Sequence, residues 1–191
     1  TTIPYKRGQI LTSNGNILAY SERVYNLILD PKLVLSDEKY KEPTLNALVQ
    51  CFGLNRQELE QTLAVKKDSQ YERLAMGLTS DEIADFKALV ADTKNNPNIK
   101  GVWFENSYVR KYPFSTMACD VVGFASAANG GELGLESYYD EELTGTVGRV
   151  ISAKNGLGYD MGTDYEVLAE AKDGYSLVTT IDETIQHYLE N

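Results

Sequence analysis

The chain has 191 residues, of which 28 are acidic and 18 are lysine or arginine, for a net charge of −10. At 42% hydrophobic and 10% aromatic it can bury a core, which argues against a disordered chain. The acidic balance argues against a nucleic-acid footprint or a polybasic membrane surface, and the longest strictly apolar run is four residues, as in Ile17–Tyr20, far below the roughly 20 of a spanning helix.

Arg7-Gly8-Gln9-Ile10-Leu11 and Ile17-Leu18-Ala19-Tyr20 flank Asn14-Gly15, a pair that tolerates positive φ and predicts a hairpin. Residues 23–29 read as a separate strand, stopped by Asp30-Pro31. Pro43 suits a first helical turn, with Leu45, Leu48, Val49 and Phe52 at helical spacing and Gly53 as terminator. Asn55 to Glu58 resembles a capping box for a second helix with Leu59 and Leu63 inward. Residues 70–78 predict a strand with Glu72, Leu74, Met76 and Leu78 on one face. Thr79 to Glu82 caps a third helix with an Ile83, Phe86 and Val90 stripe, which Asn95-Asn96-Pro97-Asn98 breaks.

Strand character returns at Gly101–Phe104. Residues 116–125 predict a short helix and 133–143 a longer one. The last third alternates through Val147–Ile151, Tyr165–Ala169 and Tyr175–Ile181, and Asp182 caps a final helix. The fold class is α+β. A strand-rich body comes from both chain ends (1–39 and 98–191), with a mostly helical insert at 40–97.

No catalytic constellation emerges from the residues alone. Cys51, Cys119 and His187 are too few for a zinc site, and the two cysteines read as buried thiols. Ser36-Asp37-Glu38-Lys39 matches Ser-x-x-Lys, but no Lys-Thr-Gly occurs and its polar flanks read as a solvated loop. Gly156 to Gly162 misses the dinucleotide fingerprint by one position and reads as a glycine-rich turn. Glu132 and Glu136, four apart, and Asp140-Glu141-Glu142 read as an exposed acidic face, with a carboxylate pair for glycan hydrolysis as the chemical alternative. Asp160, Asp164 and Glu166 lack the spacing of a calcium loop. No metal or cofactor is expected.

Four blocks in order resemble the N-terminal dimerisation, or pedestal, domain of class B penicillin-binding proteins, the peptidoglycan D,D-transpeptidases. They are Arg7-Gly8-Gln9-Ile10 through Asn14-Gly15 to Leu18-Ala19; Arg110-Lys111-Tyr112-Pro113 followed by Ala118 and Val122-Gly123-Phe124; Gly131-Glu132-Leu133-Gly134-Leu135-Glu136 continuing through Tyr139-Asp140, Leu143, Gly145 and Gly148; and Asp173-Gly174 through Thr179-Thr180-Ile181-Asp182 to Ile185-Gln186 and Leu189-Glu190. Thr12 and Ser13 depart from the family's usual Asp-Arg, and Ser115 from its usual glycine.

The resemblance implies a non-catalytic pedestal on the extracellular face of the cytoplasmic membrane, in which 40–97 is the head subdomain. The parent would carry a membrane helix just before Thr1 and a transpeptidase domain after Asn191. Implied partners are that transpeptidase domain, a membrane glycosyltransferase, cell-wall scaffold proteins and, as a possible arrangement, a second copy. The glycines of the blocks fit tight turns or close backbone approaches. Glu136 is expected to accept hydrogen bonds from Arg7 or Arg110, tying the hairpin to the later helix; the alternative is three unrelated surface charges. Two other functions stay open: a binding module of another surface protein, and a small glycan hydrolase using Glu136 or the Asp140 cluster.

Overall fold

The computed structural model describes residues 2–114, 118–126, 130–154 and 160–190. Its elements in chain order are β1 (Thr2–Ile3), β2 (Ile10–Leu11), β3 (Ile17–Leu29), α1 (Pro31–Val34), α2 (Glu38–Phe52), α3 (Arg56–Val65), β4 (Glu72–Leu78), α4 (Ala84–Ala91), β5 (Val102–Lys111), α5 (Cys119–Val122), β6 (Ala125–Ser126), β7 (Gly130–Gly131), α6 (Gly134–Tyr138), α7 (Asp140–Leu143), β8 (Gly148–Lys154), β9 (Asp160–Ala169), β10 (Leu177–Val178) and α8 (Glu183–Glu190). The fold is α+β. It divides into two compact units: unit 1 is Thr1–Glu22 with Tyr108–Asn191, and unit 2 is Arg23–Ser107. Unit 2 is wider than the expected 40–97 because both its boundaries fall inside strands, β3 and β5.

Unit 2 packs helices on a short sheet. The second half of β3 pairs antiparallel with β4, with register shifts between Tyr25 and Ile28. Leu27, Leu29, Leu45, Leu48, Leu59, Leu63 and Phe86 form its buried core. The Phe52, Phe86 and Phe104 rings meet there at 5.4–6.1 Å. Each such side chain, fully buried, contributes roughly 1.5–3 kcal/mol. Thr44 is buried among them; its hydroxyl donates to the Lys100 carbonyl and accepts from the Lys100 amide.

Several local expectations shift in this unit. α2 begins at Glu38, not Pro43, because the Asp37 side chain caps it by accepting from the Lys39 amide; Pro43 lies inside the helix. Ser36 is exposed in the turn between α1 and α2, its hydroxyl donating to the Leu33 carbonyl, while Lys39 lies in the first turn of α2. Asp30 with Pro31 opens α1. The register shifts of β4 turn Met76 outward, 68% exposed, and bring Ala75 to the core with Leu74 and Leu78. In α4, Leu89 packs against the core and Val90 is exposed. β5 runs through Lys111, well past the expected Phe104.

Unit 1 has a second core of Ile10, Leu18, Ala19, Ala118, Val122 and Leu143, flanked by Tyr112, Leu135, Tyr139, Leu177 and Ile181. β2 and β3 form the predicted hairpin, with Gly15 at φ 84° in the turn. The predicted strands at 17–20 and 23–29 are one strand, since Ser21 stays inside the sheet and buried. β10 pairs with β2 in parallel, while β1, β8 and β9 make a separate antiparallel sheet. The helix expected over 133–143 breaks at Tyr139 into α6 and α7. The glycine-rich turn at 156–162 lies mostly outside the described residues, as does Ser115.

Candidate functional site

The charged residues of unit 1 converge on one carboxylate. Glu136 sits in α6 with 0% of its surface exposed. Its Oε2 accepts from Arg7 Nε at 2.8 Å, and its Oε1 from Arg110 Nε at 2.7 Å. Tyr112 donates its hydroxyl to the same Oε1 at 3.2 Å and accepts from the Ala125 amide at 2.8 Å. Arg7 Nη2 also reaches the Glu136 carbonyl. The expectation of an exposed acidic face is corrected at Glu136, where two guanidinium groups surround the buried carboxylate, while Glu132, Glu141 and Glu142 are exposed.

Arg7 has further partners. Its Nη1 donates to Thr144 Oγ1 and lies 2.7 Å from Asp140 Oδ1. Asp140 also accepts from the Gly131 amide. Burial works to lower the Arg7 guanidinium, but hydrogen bonds to Glu136 and Asp140 hold it above its ordinary value. Burial likewise works to raise Asp140, but the Gly131 amide and Arg7 outweigh it and hold the carboxyl low. Burial, and next the Glu136 charge, pushes Tyr112 up. On the far side, Arg110 Nη1 donates to Ser21 Oγ and to the Arg7 carbonyl, and its buried Nη2 has no hydrogen-bond partner among the described residues. Two cations against two carboxylates leave the hub electrically balanced. A buried network of this kind fixes geometry more surely than it adds stability.

Glycine lets backbones approach around the hub. The Gly8 amide donates to the Leu143 carbonyl, and a Cβ on Gly8 would lie 1.8 Å from the Tyr175 carbonyl oxygen. A Cβ on Gly174 would lie 1.8 Å from the Leu143 oxygen, and one on Gly145 2.2 Å from the Lys172 oxygen. Gly123 and Gly134 pack against each other's neighbours, Leu133 and Val121. Gly148 lies in β8 against Ala171.

Of the residues singled out in the sequence, Arg7, Gly8, Arg110, Tyr112, Glu136, Leu143 and Gly145 thus gather in one place. Asn14 and Gly15 form the hairpin turn, Pro113 is exposed beyond β5, and Asp182 caps α8 through the Thr184 and Ile185 amides. Where the family usually has Asp-Arg, Thr12 is buried and its hydroxyl donates to Glu183 Oε1 at 3.3 Å. Thr144 and Ser21 join the hub without a sequence signal; Asp140, which stands in the family block beside Tyr139 and in a run of three carboxylates, joins it through an Arg7 contact that the sequence does not indicate. Cys51 is half-buried and Cys119 exposed, which corrects the reading of two buried thiols; both are free.

The arrangement offers little chemistry. Both Glu136 oxygens already accept hydrogen bonds and the side chain is fully buried, so the carboxylate is closed to a glycan substrate. A cleft of about 340 Å³ between α7 and residues 172–175 is lined by Glu141, Glu142, Thr144, Thr146, Lys172, Asp173 and Tyr175. No group of three or more His, Cys, Asp or Glu among the described residues could hold a metal ion, and no helix among them is long and apolar enough to cross a membrane.

The family described as Penicillin-binding Protein dimerisation domain matches residues 2–179. The chain belongs to this family. It is similar to Stage V sporulation protein D of Bacillus subtilis (strain 168), at 28% identity over 188 residues, covering 97% of this chain and 27% of that protein. It is similar also to Penicillin-binding protein PbpB of Mycobacterium tuberculosis, at 28% identity, covering 98% of this chain and 28% of that protein. The chain therefore spans little more than a quarter of these relatives' length. In fold it is like Penicillin Binding Protein 2X from Streptococcus thermophilus, with a TM-score of 0.75 at 24% identity over 100% of this chain and 30% of that one. The Helicobacter pylori penicillin-binding protein PBP2, solved in complex with MreC, gives 0.66 at 17% identity, over 100% of this chain and 37% of that one.

Proposed function

We propose that this chain is the non-catalytic pedestal of a membrane-anchored penicillin-binding protein that cross-links peptidoglycan. It holds a C-terminal transpeptidase domain away from the outer face of the cytoplasmic membrane and offers surface to a membrane glycosyltransferase and to scaffold proteins. The observation that carries this reading is the use made of the charged family residues. Arg7, Arg110, Tyr112 and Glu136 spend their polar atoms on one another, which serves rigidity and leaves no group poised for acyl or glycosyl transfer. In this reading the acyl-serine chemistry of the parent lies outside this chain, which is consistent with its covering 27% of the Bacillus subtilis relative. The PBP2–MreC complex is a precedent for a scaffold partner.

The test is the reading frame on either side of the segment. The expected result is an upstream apolar stretch of roughly 20 residues and a downstream Ser-x-x-Lys, Ser-x-Asn and Lys-Thr-Gly in that order. A stop codon soon after Asn191, or an unrelated domain there, overturns the proposal.

A further inference from the structure

The two ends of unit 1 lie side by side and run in the same direction. Leu177 and Val178 pair in parallel with Ile10 and Leu11. The contact continues on both sides of this short ladder. Gly174 N donates to Lys6 O, Leu177 N to Gln9 O, Thr179 N to Leu11 O and Ser13 N to Ile181 O, all at 2.8–2.9 Å. Side chains add Lys6 N to Asp173 Oδ1 at 2.8 Å, Gln9 N to Ser176 Oγ at 3.2 Å and Thr179 Oγ1 to Leu11 O at 2.9 Å. Partner numbers rise together, so residues 6–13 and 173–181 form one parallel zipper. Along it, a Cβ on Gly8 would have no room against the Tyr175 carbonyl oxygen.

We propose that this zipper is a shear clamp that bears tension applied between the two ends of the chain. Tension entering ahead of Lys6 drags residues 6–13 backward, and tension leaving beyond Ile181 drags 173–181 forward. In parallel strands these pulls oppose each other along the strand axis, so the evenly spaced bonds load together and must fail together. An antiparallel arrangement of the same segments would open one bond at a time. Force crosses from 6–13 to 173–181 without travelling through residues 23–107, since unit 2 is inserted between Glu22 and Tyr108. The clamp rests on these hydrogen bonds alone. Its use, between a membrane anchor and a domain working on the cell wall, rests on the pedestal reading.

Single-molecule force spectroscopy on this 191-residue chain tests the clamp. One set of handles is placed at Thr1 and Asn191. A second is placed at Asn14 and Asn191, Asn14 being exposed and just past the end of β2. The second geometry pulls both strands from the same end and unzips them. The rupture force is expected to be at least about twofold higher end to end than from Asn14, because forced unfolding reads the barrier and not the equilibrium stability. Thr179→Val, which removes one side-chain bond across the zipper, lowers the end-to-end force more than the Asn14 force. Equal forces in the two wild-type geometries overturn the clamp, even where the variant fails to fold. That result leaves the pedestal reading standing, and an unrelated flanking frame leaves the force ratio unchanged.

Discussion

Arg7 and Glu136 stand 129 positions apart in the chain and meet through a 2.8 Å hydrogen bond from Nε to Oε2, with the Arg7 Nη2 also on the Glu136 carbonyl. The arginine thereby binds both the side chain and the backbone of α6. Arg110, arriving at the end of β5, takes the other carboxylate oxygen. Removing the carboxylate leaves two guanidinium groups desolvated and one of them with only neutral partners. Glu136→Ala is expected to cost about 3–5 kcal/mol, the range for breaking a buried ion pair from one side. Urea denaturation against wild type reads this directly; a loss below about 1 kcal/mol would mean that the pair behaves as a surface contact.

Glycine positions separate into two kinds, and substitution should tell them apart. A Cβ on Gly174 meets the Leu143 carbonyl oxygen at 1.8 Å, and this neighbour is backbone that cannot step aside. Gly174→Ala is expected to prevent unit 1 from closing, read as loss of soluble folded protein or of the urea transition. Gly77, at φ +74°, has nothing within 4 Å of its would-be Cβ. Gly77→Ala carries only the left-handed backbone penalty, about 1–2 kcal/mol, and should fold.

What could be read from the residues follows how local each determinant is. The caps at Asn55 and Asp182 and the stop at Gly53 act within a few residues of themselves, so they were legible. Thr79 and Glu82 do bond each other, but they close a turn ahead of α4, which starts at Ala84 with Ile83 at its N-cap and no side-chain cap. The Asp37 cap is equally local but competed with Pro43 for the start of α2. Met76 was misplaced because a register shift in β4 breaks the alternation, and nothing in Glu72–Leu78 announces a bulge. The unbroken β3 was hidden by Ser21, polar in sequence but satisfied by Arg110 and the Arg7 carbonyl, groups far along the chain. Glu136 was visible as a charge inside a packed segment of a familiar pattern. Asp140 stood in the same family block and in an acidic run, but nothing there pointed it at Arg7, and Thr144 carried no signal.

Stability should depend on pH at both ends of the range. Asp140 is held below its ordinary value in the fold, so the unfolded chain takes up that proton first as pH falls. Its contribution is present above the ordinary carboxylate range, about pH 4, and is lost as pH drops through the folded value. Tyr112 is raised, so its contribution is complete below about pH 10 and is lost as pH rises through the folded value. Urea midpoints measured across pH should fall on both limbs. Asp140→Asn should flatten the acid limb and Tyr112→Phe the alkaline one; an acid limb unchanged in Asp140→Asn would assign it to other carboxylates.

Unit 2 carries its own polar bridge, and it makes a sharper test than a core truncation. Thr44 on α2 is fully buried, and its single hydroxyl satisfies both the carbonyl and the amide of Lys100. Thr44→Val keeps the shape and the β-branch but removes both bonds. The Lys100 amide and carbonyl then lose their side-chain partner, and because Lys100 is exposed, water takes up part of the loss. Each lost hydrogen bond costs about 0.5–1.5 kcal/mol, whereas a methyl gained in an apolar site returns at most about 1 kcal/mol. Thr44→Val is therefore expected to be net destabilising, and Thr44→Ser, which keeps the hydroxyl and loses only the methyl, to be milder. Amide hydrogen exchange at Lys100 should accelerate in Thr44→Val and not in Thr44→Ser. If both variants lose equal stability with Lys100 exchange unchanged, the bridge contributes nothing and the methyl contact accounts for the position.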